Sequence, residues 1–270
     1  MKHRLKSGRI LTAEEWQRWR IDGLSTPKIA EILNITPSAV RYIARDFRSA
    51  GYIDPQYQKR KPGKSIQIDT TTDKGAYILG ILWGTMSVAE ENIYWVRHRD
   101  LWFIEIIRDC LKISSEGHKS YSSTGDQFRL KISRQSDIDT ITQMLTPQGW
   151  TMRQAQERPY PSNSLNDKGF IRAWVELHNS VDIRQAKHRN GNYYPQKRLR
   201  IYGNWLLLEE INNILSSVAG LQLRTLQKTT NEITKGLYYQ GKNVLPVVNW
   251  LYDKAEIWNP VIRRKLEFLD

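Results

Sequence analysis

The sequence predicts an α+β fold: two pseudo-symmetric αββαββα repeats with antiparallel sheets, preceded by a small all-α unit. Three observations carry that expectation. Apolar helices led by Ile78 and Ile171 stand 93 residues apart, and each opens the same order of elements. Short runs between the helices alternate apolar with basic residues, the period-two pattern of a half-buried strand. Ahead of both repeats, short helices are marked by Ser or Thr caps and by proline in the first turn.

In the first unit, Thr12 and Glu15 form a Thr-x-x-Glu capping signature for a helix ending near Gly23. "STPKIAEILNI" then supplies a Ser25/Thr26 cap, Pro27 and an apolar face of Ile29, Ala30, Ile32 and Leu33. After a turn at Asn34-Ile35, "TPSAVRYIARDF" starts again with Thr36 and Pro37. Its Val40, Ile43 and Ala44 face inward, which leaves Ser38, Arg41, Tyr42 and Arg45 outward. Two short helices in tight succession, the second outwardly polar and basic, fit a helix-turn-helix with residues 36–47 as recognition helix. The alternative is a plain three-helix bundle, which leaves the choice of Ser, Arg, Tyr and Arg unexplained. Residues 1–54 form this unit. A basic linker with Lys59, Arg60 and Lys61 covers 55–74, where periodicity gives way to Gly, Pro and charge.

Repeat one, 75–157, reads as a helix (Ala76–Gly84), strands "TMSVA" and "IYWVRH", a helix "DLWFIEIIRDCLKI", strands "HKSYSS" and "QFRLKIS", and a helix capped by Ser136. Repeat two, 168–270, reads as a helix "GFIRAWVELHN", strands "SVDIRQAKHR" and "PQKRLRIYG" around the turn Asn190-Gly191, and a helix that stops at Ala219-Gly220. A second hairpin, "LQLRTLQ" with "ITKGLYYQG", precedes helices at 243–252 and 260–269. Alternation places Arg129 with Lys131, and Arg198 with Arg200, on single strand faces. Arg184, Lys187, His188 and Arg189 add charge on the neighbouring strand and turn. A half-exposed strand with solvated charges is the plainer reading of each, but matching strands in both repeats favour contact with nucleic acid.

With 41 Lys and Arg against 28 Asp and Glu, the chain carries a formal charge of +13, which points to a polyanionic partner. Its single Cys110 excludes an internal disulfide and a cysteine-rich zinc site, and fits a reducing cytoplasm. The five histidines, His3, His98, His118, His178 and His188, lack metal-ligand spacing, and no phosphate-binding glycine fingerprint is present. No signal sequence opens the chain, and no apolar run approaches the ~20 residues of a membrane span. A cytoplasmic, nucleoid-associated, monomeric protein is the expectation.

"ILGILWGTM" and "IRAWVELHN" resemble two degenerate copies of the LAGLIDADG motif of homing endonucleases, and the order of the following segments over about 70–270 resembles that family too. The resemblance implies that the two motif helices pack side by side at a pseudo-twofold axis, with Gly80, Gly84 and Ala173 permitting close approach. Leu177, four places after Ala173, is bulkier than such a seam expects. The resemblance also implies that the sheets form saddles for the DNA major groove.

In that family each motif helix ends in a carboxylate that holds Mg²⁺. Those places fall here on Thr85 and His178, and neither is a hard anionic ligand. The earlier acidic places fall on Trp83 and Glu176, and helical geometry turns Glu176 away from the seam. Glu90 and Glu91 lie past the helix, in a hairpin turn. The expectation is therefore a binder of double-stranded DNA without cofactor or metal, most simply a transcriptional regulator. The alternatives are a Mg²⁺-dependent endonuclease with displaced acids and an RNA-binding, maturase-like protein.

Overall fold

The computed structural model describes residues 2–5, 8–22, 24–49, 68–90, 93–113, 118–122, 125–151, 158–162 and 165–267. Lys59, Arg60, Lys61 and Glu91 lie outside them. The chain divides into two compact units, 1–63 and 64–270.

Unit one contains helices α1 (Ala13–Ile21), α2 (Thr26–Leu33) and α3 (Pro37–Ser49). Each start is fixed by a hydroxyl that satisfies an amide the helix cannot. Thr12 Oγ1 accepts from Glu15 N at 3.1 Å, Ser25 Oγ from Lys28 N at 3.4 Å, and Thr36 Oγ1 from Ala39 N at 3.2 Å. Asn34 ends α2 in the left-handed region, φ +51°. Leu11, Trp16, Ile29, Leu33, Val40, Ile43 and Phe47 form the core. A short hairpin of β1 (Lys2–Arg4) and β2 (Ile10–Thr12) joins the three helices. The sequence reading leaves it out, since three-residue strands carry almost no periodic signal.

Unit two follows the αββαββα order twice. Repeat one comprises α4 (Asp73–Thr85), β3 (Met86–Glu90), β4 (Ile93–His98), α5 (Leu101–Cys110), β5 (His118–Ser122), β6 (Gly125–Ile132) and α6 (Gln135–Leu145). Repeat two comprises α7 (Asp167–Leu177), β7 (Asn179–Lys187), β8 (Tyr193–Gly203), α8 (Trp205–Val218), β9 (Gln227–Lys228) and β10 (Lys235–Gln240), followed by α9 (Val244–Tyr252) and α10 (Pro260–Glu267). The sheets have the same antiparallel topology, β3-β4-β6-β5 and β7-β8-β10-β9. One apolar core runs through both repeats, from Ile78, Val96, Ile104 and Leu130 to Ile171, Leu199, Ile211 and Leu237.

Three local expectations change. Helix α6 starts two residues early, with Arg134 at the cap position and no side-chain cap bond, so Ser136 lies within the first turn. The Asn190-Gly191 turn is a three-residue loop closed by His188 N donating to Asn192 O at 2.7 Å, with Gly191 at φ +91°. The strand expected at "LQLRTLQ" shrinks to Gln227–Lys228. Asn212 of α8 takes the backbone of Arg224 instead, donating to its carbonyl at 2.8 Å and accepting from its amide at 3.2 Å.

Candidate nucleic-acid interface

Helices α4 and α7 pack along a seam of corresponding residues. A Cβ on Gly80 would sit 2.7 Å from the Cβ of Ala173 and 2.9 Å from Phe170 O. A Cβ on Gly169 would run into the Asp73 carbonyl and stand 3.1 Å from the Cβ of Ala76. At the far end, a Cβ on Gly84 would lie 3.0 Å from Leu177 Cδ1 and 2.8 Å from His178 Nε2. Leu177 therefore fits because Gly84 faces it, and the seam stays tight. Gly169 belongs to the seam as much as Gly80 does; its position 93 residues after Ala76 is the signal that finds it.

Two buried polar ties cross the seam. Arg172, fully buried, donates to both carboxylate oxygens of Asp73 (3.0 and 2.5 Å) and to the carbonyls of Leu251 and Ile257 (3.0 and 2.8 Å). Glu176 accepts from Tyr77 OH, from Tyr252 OH at 2.8 Å and from Asn259 N at 2.9 Å. This corrects the expectation that Glu176 turns away from the seam: Tyr77 reaches it from the facing helix. Burial pushes its carboxyl up to about 7, against the three donors and Arg172 that favour the anion. Trp83, at the corresponding place of α4, donates its Nε1 to Pro159 O at 3.1 Å.

The helix ends do not fit Mg²⁺. Thr85 Oγ1 donates to Ile81 O at 2.6 Å, inside its own helix. The ring of His178 lies against Trp174, centroids 4.2 Å apart, with Nε2 buried and unpartnered. Burial, aided by nearby His98, lowers its pKa to about 4, so it stays a neutral imidazole. A hydroxyl spent on a carbonyl and a buried imidazole are not the hard oxygen set that this ion takes. Among the described residues, no group of three or more His, Cys, Asp or Glu could hold a metal.

On sheet two, Leu199, Ile201, Leu237 and Tyr239 point into the core. The opposite face presents Arg184, Gln196, Arg198, Arg200 and Tyr238, brought together by the register Arg184↔Gln196, Asp182↔Arg198 and Tyr238↔Arg200. Asp182 is the residue the sequence reading misses. Its carboxylate accepts from Arg198 Nε at 2.6 Å and from Arg200 Nη2. The face is thus less purely cationic than alternation suggests. Arg184 is held by Gln196 Oε1 at 2.9 Å and Gln240 Oε1 at 3.1 Å. Lys187 falls on the other side of the sheet by alternation, exposed at the strand end. Exposed His188 and Arg189 belong to the loop, the His188 ring 5.6 Å from that of Tyr194.

On sheet one, Val96, Leu130 and Ile132 are buried, while Trp95, Arg97, Arg129 and Lys131 share the outer face through the pairs Trp95↔Lys131 and Arg97↔Arg129. Arg97 and Lys131 both lie over the Trp95 ring, at 5.9 and 5.8 Å. The sequence reading names Arg129 and Lys131 but not Arg97, whose strand "IYWVRH" alternates just as plainly.

In unit one, Ser38, Arg41, Tyr42 and Arg45 are all exposed on α3, with the Arg45 guanidinium 4.7 Å from the Tyr42 ring centre.

No family model matches the chain, and no curated protein matches it. Solved structures to which it is similar are LAGLIDADG homing endonucleases. I-LtrWI bound to target DNA is 10% identical over 73% of this chain and 88% of that one, with a TM-score of 0.47. I-AabMI bound to uncleaved DNA is 12% identical over 72% and 88%, at 0.48. I-SmaMI bound to cleaved DNA is 12% identical over 76% and 89%, at 0.47.

Proposed function

We propose that the chain binds double-stranded DNA sequence-specifically on a LAGLIDADG-like scaffold and leaves it uncut, as a transcriptional regulator with an N-terminal helix-turn-helix. One observation carries the reading. Two sheets with basic outer faces flank a tight helix seam, and the seam's ends bear Thr85 and His178 in place of carboxylates. A sheet face fits the major groove, and alternate residues reach into it. Phosphates supply most of the affinity through Lys and Arg, and helix α3 adds an exposed Arg41/Arg45 pair suited to the same groove.

The test is selection of bound fragments from a random-sequence duplex pool, followed by incubation of the selected duplex with Mg²⁺ or Mn²⁺. The expected outcome is a retained, intact duplex whose affinity falls on the order of 10³-fold from ~50 to ~200 mM salt. A discrete nick or double-strand break, lost in Glu90→Gln or Glu91→Gln, would establish the endonuclease instead. Preference for structured RNA over every duplex would replace the regulator with an RNA-binding protein.

A further inference from the structure

We infer that the two halves divide the recognition of DNA: the sheet of repeat one grips phosphates through Arg97 and Arg129, which face each other across β4 and β6, and the sheet of repeat two reads base edges through arginines held in place by Asp182. The inference rests on the DNA-binding reading above and adds to it an asymmetry that pseudo-symmetric repeats would not require.

Arg97 and Arg129 stand directly opposite on β4 and β6, a like-charge pair that weakens a sheet. Among the described residues neither makes an ion pair. Burial, and then the facing Arg129, lowers the pKa of Arg97. Lys131 lies on the same face. A row of phosphates relieves the two arginines at once, with no demand on sequence.

Sheet two is built in the opposite sense. Asp182 sits between Arg198 and Arg200 and bonds to both. A carboxylate there repels backbone phosphates but tolerates neutral base edges. It also fixes two guanidinium planes, leaving further N–H groups for paired acceptors such as guanine O6 and N7. Arg184 is fixed in the same way by Gln196 and Gln240. Side chains ordered before contact lose less entropy on making it. Asp182 is thus a positioning residue that acts through its arginines.

The experiment uses the full chain, the duplex selected from the random pool, and an unrelated duplex of equal length. Arg97→Gln with Arg129→Gln should weaken both duplexes by the same factor and reduce the slope of log affinity against log salt by about 1–2. Asp182→Asn should keep the slope while lowering the selected-to-unrelated affinity ratio roughly tenfold. Arg198→Lys, which keeps the charge and loses the fork, should do the same and covers the case of a misfolded Asp182 variant. If the repeat-one pair lowers the ratio, or if Asp182→Asn and Arg198→Lys both leave it unchanged, the division of labour is wrong. If the unsubstituted chain retains no duplex from the pool, the DNA-binding reading itself falls, and this inference with it.

Discussion

Gly80 has a neighbour where its side chain would be: any Cβ there meets both Ala173 and the Phe170 carbonyl. Gly80→Ala gains about 1 kcal/mol of helix propensity but must force the helices apart, an overpacking cost of about 1–3 kcal/mol. Denaturant unfolding should show a net loss. The added exchange Ala173→Gly should restore only part of it, since the Phe170 carbonyl remains. The buried ionisable groups predict a pH signature. Glu176, held near 7 when folded and at 4.5 otherwise, keeps its proton in the native state between those values after the unfolded chain has released it. Its contribution therefore falls as pH rises from about 4.5 to 7, by up to on the order of 3 kcal/mol. His178, lowered from 6.5 to about 4, acts in the opposite sense: its contribution is lost as pH falls through that range. The two offset each other over the shared window. Thermal midpoints of Glu176→Gln should rise with pH from about 4.5 to 6.5 more steeply than those of the unsubstituted chain. Equal slopes would show that Glu176 titrates normally.

Elements were legible wherever a local rule sets them. Thr12, Ser25 and Thr36 announce their helices because a cap needs only a hydroxyl and an amide three residues on. The alternation of "FRLKI" and "KRLRIY" gives strands and faces because the pleat repeats every two residues. Register is not local, and what depends on it was hidden. Asp182 joins Arg198 only through the β7–β8 pairing, and Tyr77 meets Glu176 only across the seam. Glu176 shows the same limit: helical angle gives a direction on its own helix, not what arrives from another. The exposed face of α3 was open to sequence, and its prediction belongs at this scale. Arg41→Ala should relax base preference over a few pairs at one edge of the footprint, since a bidentate arginine–guanine contact gives about 1–3 kcal/mol of discrimination. Selection with the variant checks it, and an unchanged consensus would remove α3 from the recognition surface.

At the scale of the whole molecule, the repeat order was visible as a 93-residue period, and the shared sheet order β-β-β-β with its last two strands exchanged was not, because it is set by crossovers and not by composition. The same period shows how far the halves have grown apart. The residues corresponding to Asp73 and Tyr77 are Asn166 and Phe170; those corresponding to Arg172 and Glu176 are Leu79 and Trp83. Each polar tie across the seam therefore joins unlike halves. Two copies of repeat two would bring Arg172 to Asn166 and Glu176 to Phe170, taking from the cation its counter-ion and from the acid one of its three donors, and would set Leu177 against Leu177 where Gly84 now yields. Two copies of repeat one would set glycine against glycine and leave voids. Along the seam each half thus carries the complement of the other and not of itself. Residues 64–157 and 158–270, produced as separate chains, should assemble one-to-one with each other. Neither should form the stable pair with itself that a true twofold would allow, a difference that native mass spectrometry of the mixed and single chains would read directly.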